Sequence, residues 1–271
     1  METIKQGSRN KDAVLLLQTL LHEAGLLGVV DGIFGPATDR AVKAFQALKG
    51  LVVDGITGEK TWTCLFLSSQ VPLERSASRF LEEQDLCDAA EGYRVELAAI
   101  KAVNEVESMG SGFVADKPRI LFEGHVFWRE LVSKGMEPEV LRKGNEDILY
   151  PAWTKEYYRG GPAEHERLGR AALIDREAAL RSASWGAFQV MGMHAESMGY
   201  RDVFDFTERM AVHEREHLAA FCRFIEVNGL VAALRRKEWR TFARGYNGPG
   251  YEKNRYHIRL QQAYERYSRY C

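Results

Sequence analysis

Apolar residues near the start of the chain recur at helical spacing. In DAVLLLQTLLHEAGLL, Asp12 to Leu27, they fall three and four apart, the pattern of a helix with one buried face. Two later segments, VVDGIFGPATDRAVKAFQ from Val29 and VVDGITGEKTWTCLF from Val52, repeat a V-V-D-G-x-x-G-x-x-T turn that leads into an apolar helix. Asp31 and Asp54 suit turn starts, the glycines supply unusual backbone angles, and Thr38 and Thr61 fall at or just inside the helix starts. The pattern predicts a small helical module.

From Ser68 to Arg79 the periodicity stops. SSQVPLERSASR is polar, contains a proline and reads as an interdomain linker. Domains are therefore expected at 1–67 and 80–271, joined by a linker at 68–79. The second opens with a helical pattern, passes through a Gly/Pro-rich middle (KGNEDILYPAWTKEYYRGGPAEHERL), and ends in helices interrupted by glycine turns. Its expected class is mainly α with a small strand element.

Composition narrows the function classes. At 271 residues and 45% hydrophobic, the chain suits two packed cores. A net charge of -1 provides no field for nucleic acid, and none is expected as a partner. Charge is uneven, however: between Ala232 and Cys271 ten Lys/Arg stand against three Glu, which suits a solvated helix face or attraction to an anionic polymer. Cys64, Cys87, Cys222 and Cys271 show no C-x-x-C pairing, so neither a disulfide framework nor a cysteine zinc site is indicated. No apolar run approaches the roughly twenty residues that span a bilayer, and METIKQGSRNKD lacks the apolar core of a signal peptide. Neither stable membrane insertion nor a signal peptide is expected.

Candidate chemistry centres on NEVESMGSGF, Asn104 to Phe113, where two carboxylates precede a glycine-rich turn. At about 100° per residue, Ile100, Val103 and Val106 form an apolar stripe that includes Glu107. Glu105 points the other way, four residues after Lys101, where an exposed ion pair is expected. Glu107 thus faces desolvation, which raises a carboxyl pKa and suits a general acid for glycosidic cleavage; a buried, hydrogen-bonded structural Glu is the alternative. HEREH, His213 to His217, offers a competing metal reading, since two imidazoles four apart on a helix resemble a zinc peptidase motif. Against it, Arg215 and Glu216 are charged, and a third ligand would have to come from Glu226 or Glu238. The simpler expectation is an amphipathic helix, MAVHEREHLAAFCRFI, with its charges in water and no metal bound.

The repeated D-G-x-x-G-x-x-T turns resemble the three-helix peptidoglycan-binding module of cell-wall hydrolases, over about residues 8 to 67. That resemblance implies a groove for stem peptide and adjoining sugar, formed by Asp31, Gly32, Phe34 and Gly35 in the first turn and by Asp54, Gly55 and Gly58 in the second. VESMGSGF (106–113), RILFEGHVF (119–127), SASWGAFQVMG (182–192) and FARGYNGPGY (242–251), in that order, resemble the lysozyme-like N-acetylmuramidase domain of phage endolysins. Three of these motifs are shared in outline with goose-type lysozymes and lytic transglycosylases.

The resemblance implies an α+β lysozyme-like catalytic domain that hydrolyses the β-1,4 bond between N-acetylmuramic acid and N-acetylglucosamine, without a cofactor. Glu107 matches the glutamate that protonates the glycosidic oxygen. Ser184, Gly186 and Gln189 match residues of the sugar groove, and Tyr246 and Asn247 match its other wall. A second carboxylate is less defined: Glu123 is the candidate, with Asp116 behind it and His125 placed to hold a neighbouring carboxylate or substrate. A lytic transglycosylase would use the same glutamate. The resemblance further implies a monomer whose partner is bacterial peptidoglycan, held in the host cytoplasm until a holin-made lesion admits it to the periplasm and wall.

Overall fold

The computed structural model describes residues 2–68, 79–108, 111–114 and 116–269. Apart from Ser68 and Arg79, the expected linker lies outside the described residues. The chain divides into two compact units, Met1–Glu105 with Leu260–Cys271, and Val106–Arg259. The first takes in residues 80–105 and 260–271 besides the expected module.

In the first unit, α1 (Lys11–Glu23), α2 (Pro36–Leu48) and α3 (Glu59–Ser68) enclose a core that includes Val14, Leu17, Leu21, Phe34, Val42, Phe45, Trp62 and Leu65. Each D-G turn is bolted to the preceding helix by a buried glutamine. Gln18 accepts the N–H groups of Asp31 and Gly32 and donates to Asp31 Oδ1, Ile33 O and Thr38 Oγ1. Gln46 repeats the pattern with Asp54, Gly55, Ile56 and Thr61. Gly32 and Gly55 have φ of 74° and 73°, a left-handed conformation that glycine adopts without strain. After α4 (Glu83–Gly92), the unit includes most of α5 (Leu97–Glu107).

The second unit begins with the hairpin of β1 (Phe113–Val114) and β2 (Lys117–Pro118), followed by β3 (Ile120–Phe122). Helices α6 (Gly124–Ser133), α7 (Pro138–Leu141), α8 (Ala163–Ile174) and α9 (Arg176–Arg181) lead to β4 (Ala183–Trp185) and β5 (Val190–Met191). Strands β3, β4 and β5 form an antiparallel sheet in which Leu121 pairs with Ser184 and Ser184 with Met191. Then come α10 (Val203–Met210), α11 (Glu214–Val227), α12 (Val231–Arg235), α13 (Trp239–Asn247) and α14 (Tyr256–Tyr267), which continues into the first unit. Many helices with few, short strands match the expected mainly-α class.

A buried ion pair anchors the end of β3. Arg167 donates to Glu164 Oε2 at 2.8 Å, to Phe122 O at 3.0 Å and to Asp147 O at 2.7 Å. Glu164 also accepts the N–H groups of Phe122, Arg159 and Gly160; burial pushes its carboxyl up, but these bonds and the Arg167 charge outweigh it and hold the pKa below the usual range. With every polar atom named here engaged, desolvation of the pair is compensated.

Two expectations need correction. MAVHEREHLAAFCRFI is not one amphipathic helix: α10 ends at Met210, and α11 starts at Glu214 with His213 as its N-cap, its Nδ1 accepting Arg215 N–H. Glu214, a charge expected to face water, is 1% exposed, as is His217. Glu105 is also not a solvated partner of Lys101. Lys101 pairs with Glu83, while Glu105 takes Lys5, Arg266 and the Tyr267 hydroxyl, all within the first unit. Partners distant in sequence displaced the local i, i+4 pair.

Candidate active site

Glu107 ends α5 on the side of its apolar stripe and is 8% exposed. Asn247, the last residue of α13, donates from Nδ2 to Glu107 Oε1 at 3.0 Å. Burial pushes the Glu107 carboxyl up to about 7, against the downward pull of the Asn247 bond and the Arg259 guanidinium. A group poised there holds a proton at neutral pH yet can release it, the property a general acid requires.

Tyr246, beside Asn247, spends its hydroxyl on Phe188 O at 2.8 Å, and its ring packs against Phe221, Phe224 and Phe242. It therefore links α13 to the turn between β4 and β5. Across that turn, Ser184 Oγ of β4 donates to Gln189 Oε1 at 2.9 Å, and Gln189 Nε2 donates to Gly186 O at 2.8 Å. Gln189 and Gly186 both have positive φ, 52° and 75°. Ser184 Oγ also reaches Leu121 O, and Gln189 Nε2 also reaches Arg119 O, each at 3.4 Å, so the motif's polar atoms shape the turn and tie it to the segment around β3.

Glu123 caps α6, and the Tyr158 hydroxyl lies 2.7 Å from both of its oxygens. Burial raises its pKa, with the Tyr158 bond opposing. His125 Nδ1 is 3.3 Å from Glu123 Oε2 but outside hydrogen-bonding geometry, and its ring stacks on Tyr150. Burial and Arg129 lower the His125 pKa, favouring neutral imidazole. Glu123 and Glu107 are thus held by different partners. Asp116, in the β1–β2 turn, is exposed with φ of 63°.

In the first unit Phe34 is 2% exposed and belongs to the core, not to a groove wall. Gly35 caps α2, and Gly58 precedes α3. The first turn presents Val29, Val30 and Ile33 to solvent. Asp31 is held below the usual carboxylate range by its bonds from Gln18 and the Ile33 N–H, whereas burial pushes Asp54 up to about 6. Beside the second turn lies a cavity of about 230 Å³ lined by Asp39, Lys43, Asp54, Arg266 and Tyr267, among others.

Sequence similarity decides which chemistry this geometry belongs to. The N-acetylmuramidase family profile matches residues 96–268. This chain belongs to the N-acetylmuramidase family. A putative peptidoglycan binding domain matches residues 10–65 of the same muramidase-family chain. The crystal structure of the Burkholderia AP3 phage endolysin has a TM-score of 0.88 and 43% identity to it, covering 99% of this chain and 100% of that one. The spore cortex-lytic enzyme of Bacillus cereus is 38% identical over 60 residues, 22% of this chain and 23% of that enzyme. An uncharacterized protein of Kitasatospora aureofaciens is 48% identical over 62 residues, 22% of this chain and 52% of that protein. The muramidase-family chain therefore spans between about a quarter and a half of the length of these two curated relatives.

Proposed function

We propose that the chain is a peptidoglycan hydrolase of the endolysin type that cleaves the β-1,4 bond between N-acetylmuramic acid and N-acetylglucosamine. The observation that carries this is a glutamate whose burial holds its pKa near 7, at the end of α5, in a chain of the N-acetylmuramidase family. Glu107 gives its proton to the glycosidic oxygen as the bond to the anomeric carbon breaks. Asn247 and Arg259 then stabilise the carboxylate left behind. Water adds to the oxocarbenium-like carbon and returns a proton, so no cofactor enters the balance.

In this reading the module at 10–65 holds the wall, its first turn offering exposed apolar side chains and an ionised Asp31. Host lysis, entry to the wall through a holin-made lesion, and action as a monomer are parts of the same proposal; likeness to a phage endolysin supports the lytic role. Mass spectrometry of purified peptidoglycan digested by the wild type and by Glu107→Gln tests it. Reducing muramic acid ends from the wild type alone are expected. Anhydro-muramic ends would instead identify a lytic transglycosylase in which the sugar 6-hydroxyl attacks, and released amino groups without new sugar ends would overturn the glycosidase reading.

A further inference from the structure

HEREH has no part in the chemistry proposed above, yet two of its residues are almost fully enclosed. His217 is 1% exposed, and both of its ring nitrogens are bonded: Nε2 donates to Met210 O at 2.7 Å, and Nδ1 accepts the Ala187 N–H at 3.1 Å. Those bonds define a neutral imidazole with the proton on Nε2, leaving neither nitrogen available to a metal. Glu214, also 1% exposed, accepts the Gly112 N–H on Oε1 at 2.6 Å.

Both glycine segments close directly onto these side chains. A Cβ on Gly112 would lie 2.3 Å from His217 Nδ1 and 3.1 Å from Glu214 Cγ. One on Gly186 would lie 2.6 Å from His217 Cγ. Between them, Arg119 donates its N–H to Gly112 O at 2.7 Å and accepts the Gly186 N–H at 2.8 Å. The first turn of α11 is thus a floor against which two loops are pressed.

The Gly186 loop leads to Glu107, and Arg119 ties Gly112 to that loop. Ala187 precedes Phe188, whose carbonyl takes the Tyr246 hydroxyl, and the next residue, Asn247, holds the Glu107 carboxyl. We propose that Glu214 and His217 are positioning residues of the glycosidase site, fixing from beneath Gly112 and the Gly186 loop, whose Phe188 carbonyl places Tyr246 and so keeps Asn247 bonded to Glu107. This rests on the proposed role of Glu107 for its functional meaning, but its physical content does not depend on activity.

Carboxyl carbon NMR of Glu107 in the full chain tests the proposal in wild type, Glu214→Ala, Glu214→Gln and His217→Asn, with Glu216→Ala as a control from the same helical turn. Loosening that support weakens the Asn247 bond that favours the ionised form, so Glu107 in Glu214→Ala should titrate about one pH unit higher than in the wild type. Glu214→Gln keeps an acceptor for Gly112, and His217→Asn keeps one for Ala187; both should titrate closer to the wild type than Glu214→Ala does. The control should coincide with the wild type. A lower melting temperature with unchanged Glu107 titration in Glu214→Ala would overturn the proposal by reducing Glu214 to a stability role. A Glu214→Ala chain too unstable to titrate leaves the comparison to Glu214→Gln and His217→Asn, where a shift as large as one unit in both would overturn the acceptor argument. A wild type inactive on peptidoglycan would sink the functional reading while leaving this comparison intact.

Discussion

Asn247 and Glu107 are 140 positions apart in the chain, and 3.0 Å separates the amide Nδ2 from the carboxyl oxygen it contacts. Burial raises the Glu107 pKa while this bond lowers it, and burial wins. Asn247→Leu removes a contact that favours the ionised form, so the alkaline limb of the rate–pH profile should move upward from about 7. The plateau rate should fall by about tenfold, because the carboxylate formed at the transition state loses a charge-assisted hydrogen bond worth ~1.5 kcal/mol. Initial rates on purified wall across pH 5 to about 9 give both quantities; a limb that moves downward contradicts the assignment.

Glu107 should also be a liability to the fold at high pH. Its folded-state pKa of about 7 lies above the ordinary value of 4.5. Between those values the folded chain holds the proton more firmly than the unfolded chain, so stability falls as pH rises through that window and levels off above it. Glu107→Gln has no charge to desolvate. It should be more stable than the wild type by on the order of 2 kcal/mol above pH 7, with that advantage vanishing below the ordinary carboxyl pKa. Activity should fall by about 10²-fold or more, as expected when a general acid is lost. Thermal unfolding curves that stay parallel across pH would show that the Glu107 pKa is ordinary.

The parts legible in the sequence are those fixed by nearby chemistry. The D-G turns announce themselves because Asp, Gly and Thr do their work within eight residues, and Glu107 because a helical stripe carries it. Gln18 and Gln46 leave no such trace: an amide in an apolar helix could point anywhere until the turn that it bonds has folded beside it. Lys101 and Glu105 misled for the opposite reason, since an i, i+4 pair is worth little and gives way to better partners elsewhere. HEREH matched a metal motif by spacing, but spacing does not reveal that one histidine caps the helix and the other is bonded at both nitrogens. The signal available was the cluster of glycines at 112 and 186, whose need for close packing becomes evident only once a neighbour is known.

Arg167 should be among the costliest residues to neutralise. Arg167→Met preserves bulk but leaves Glu164 buried with no guanidinium and strips donors from Phe122 O and Asp147 O. A loss of about 3–5 kcal/mol is expected. Glu164→Gln with Arg167→Met should recover part of it, since the double change removes both charges. Urea unfolding of the single and double variants measures the coupling, and strict additivity would mean that the pair contributes nothing as a pair.

Glu123 presents the remaining question of the second carboxylate. Both of its oxygens lie 2.7 Å from the Tyr158 hydroxyl, which would have to be displaced or shared before either could act on water or a sugar. Glu123→Gln keeps an acceptor for Tyr158 and should leave turnover on purified wall within about tenfold of the wild type, well short of the 10²–10⁴-fold typical of a lost acid or base. Tyr158→Phe separates the two roles. Removing its hydroxyl takes away a bond that lowers the Glu123 pKa, so a reacting Glu123 would stay protonated to higher pH and the acidic limb of the rate profile would shift upward. A structural Glu123 predicts an unshifted acidic limb with a lower unfolding temperature. A shifted limb together with a large loss in Glu123→Gln would make Glu123 the second catalytic carboxylate.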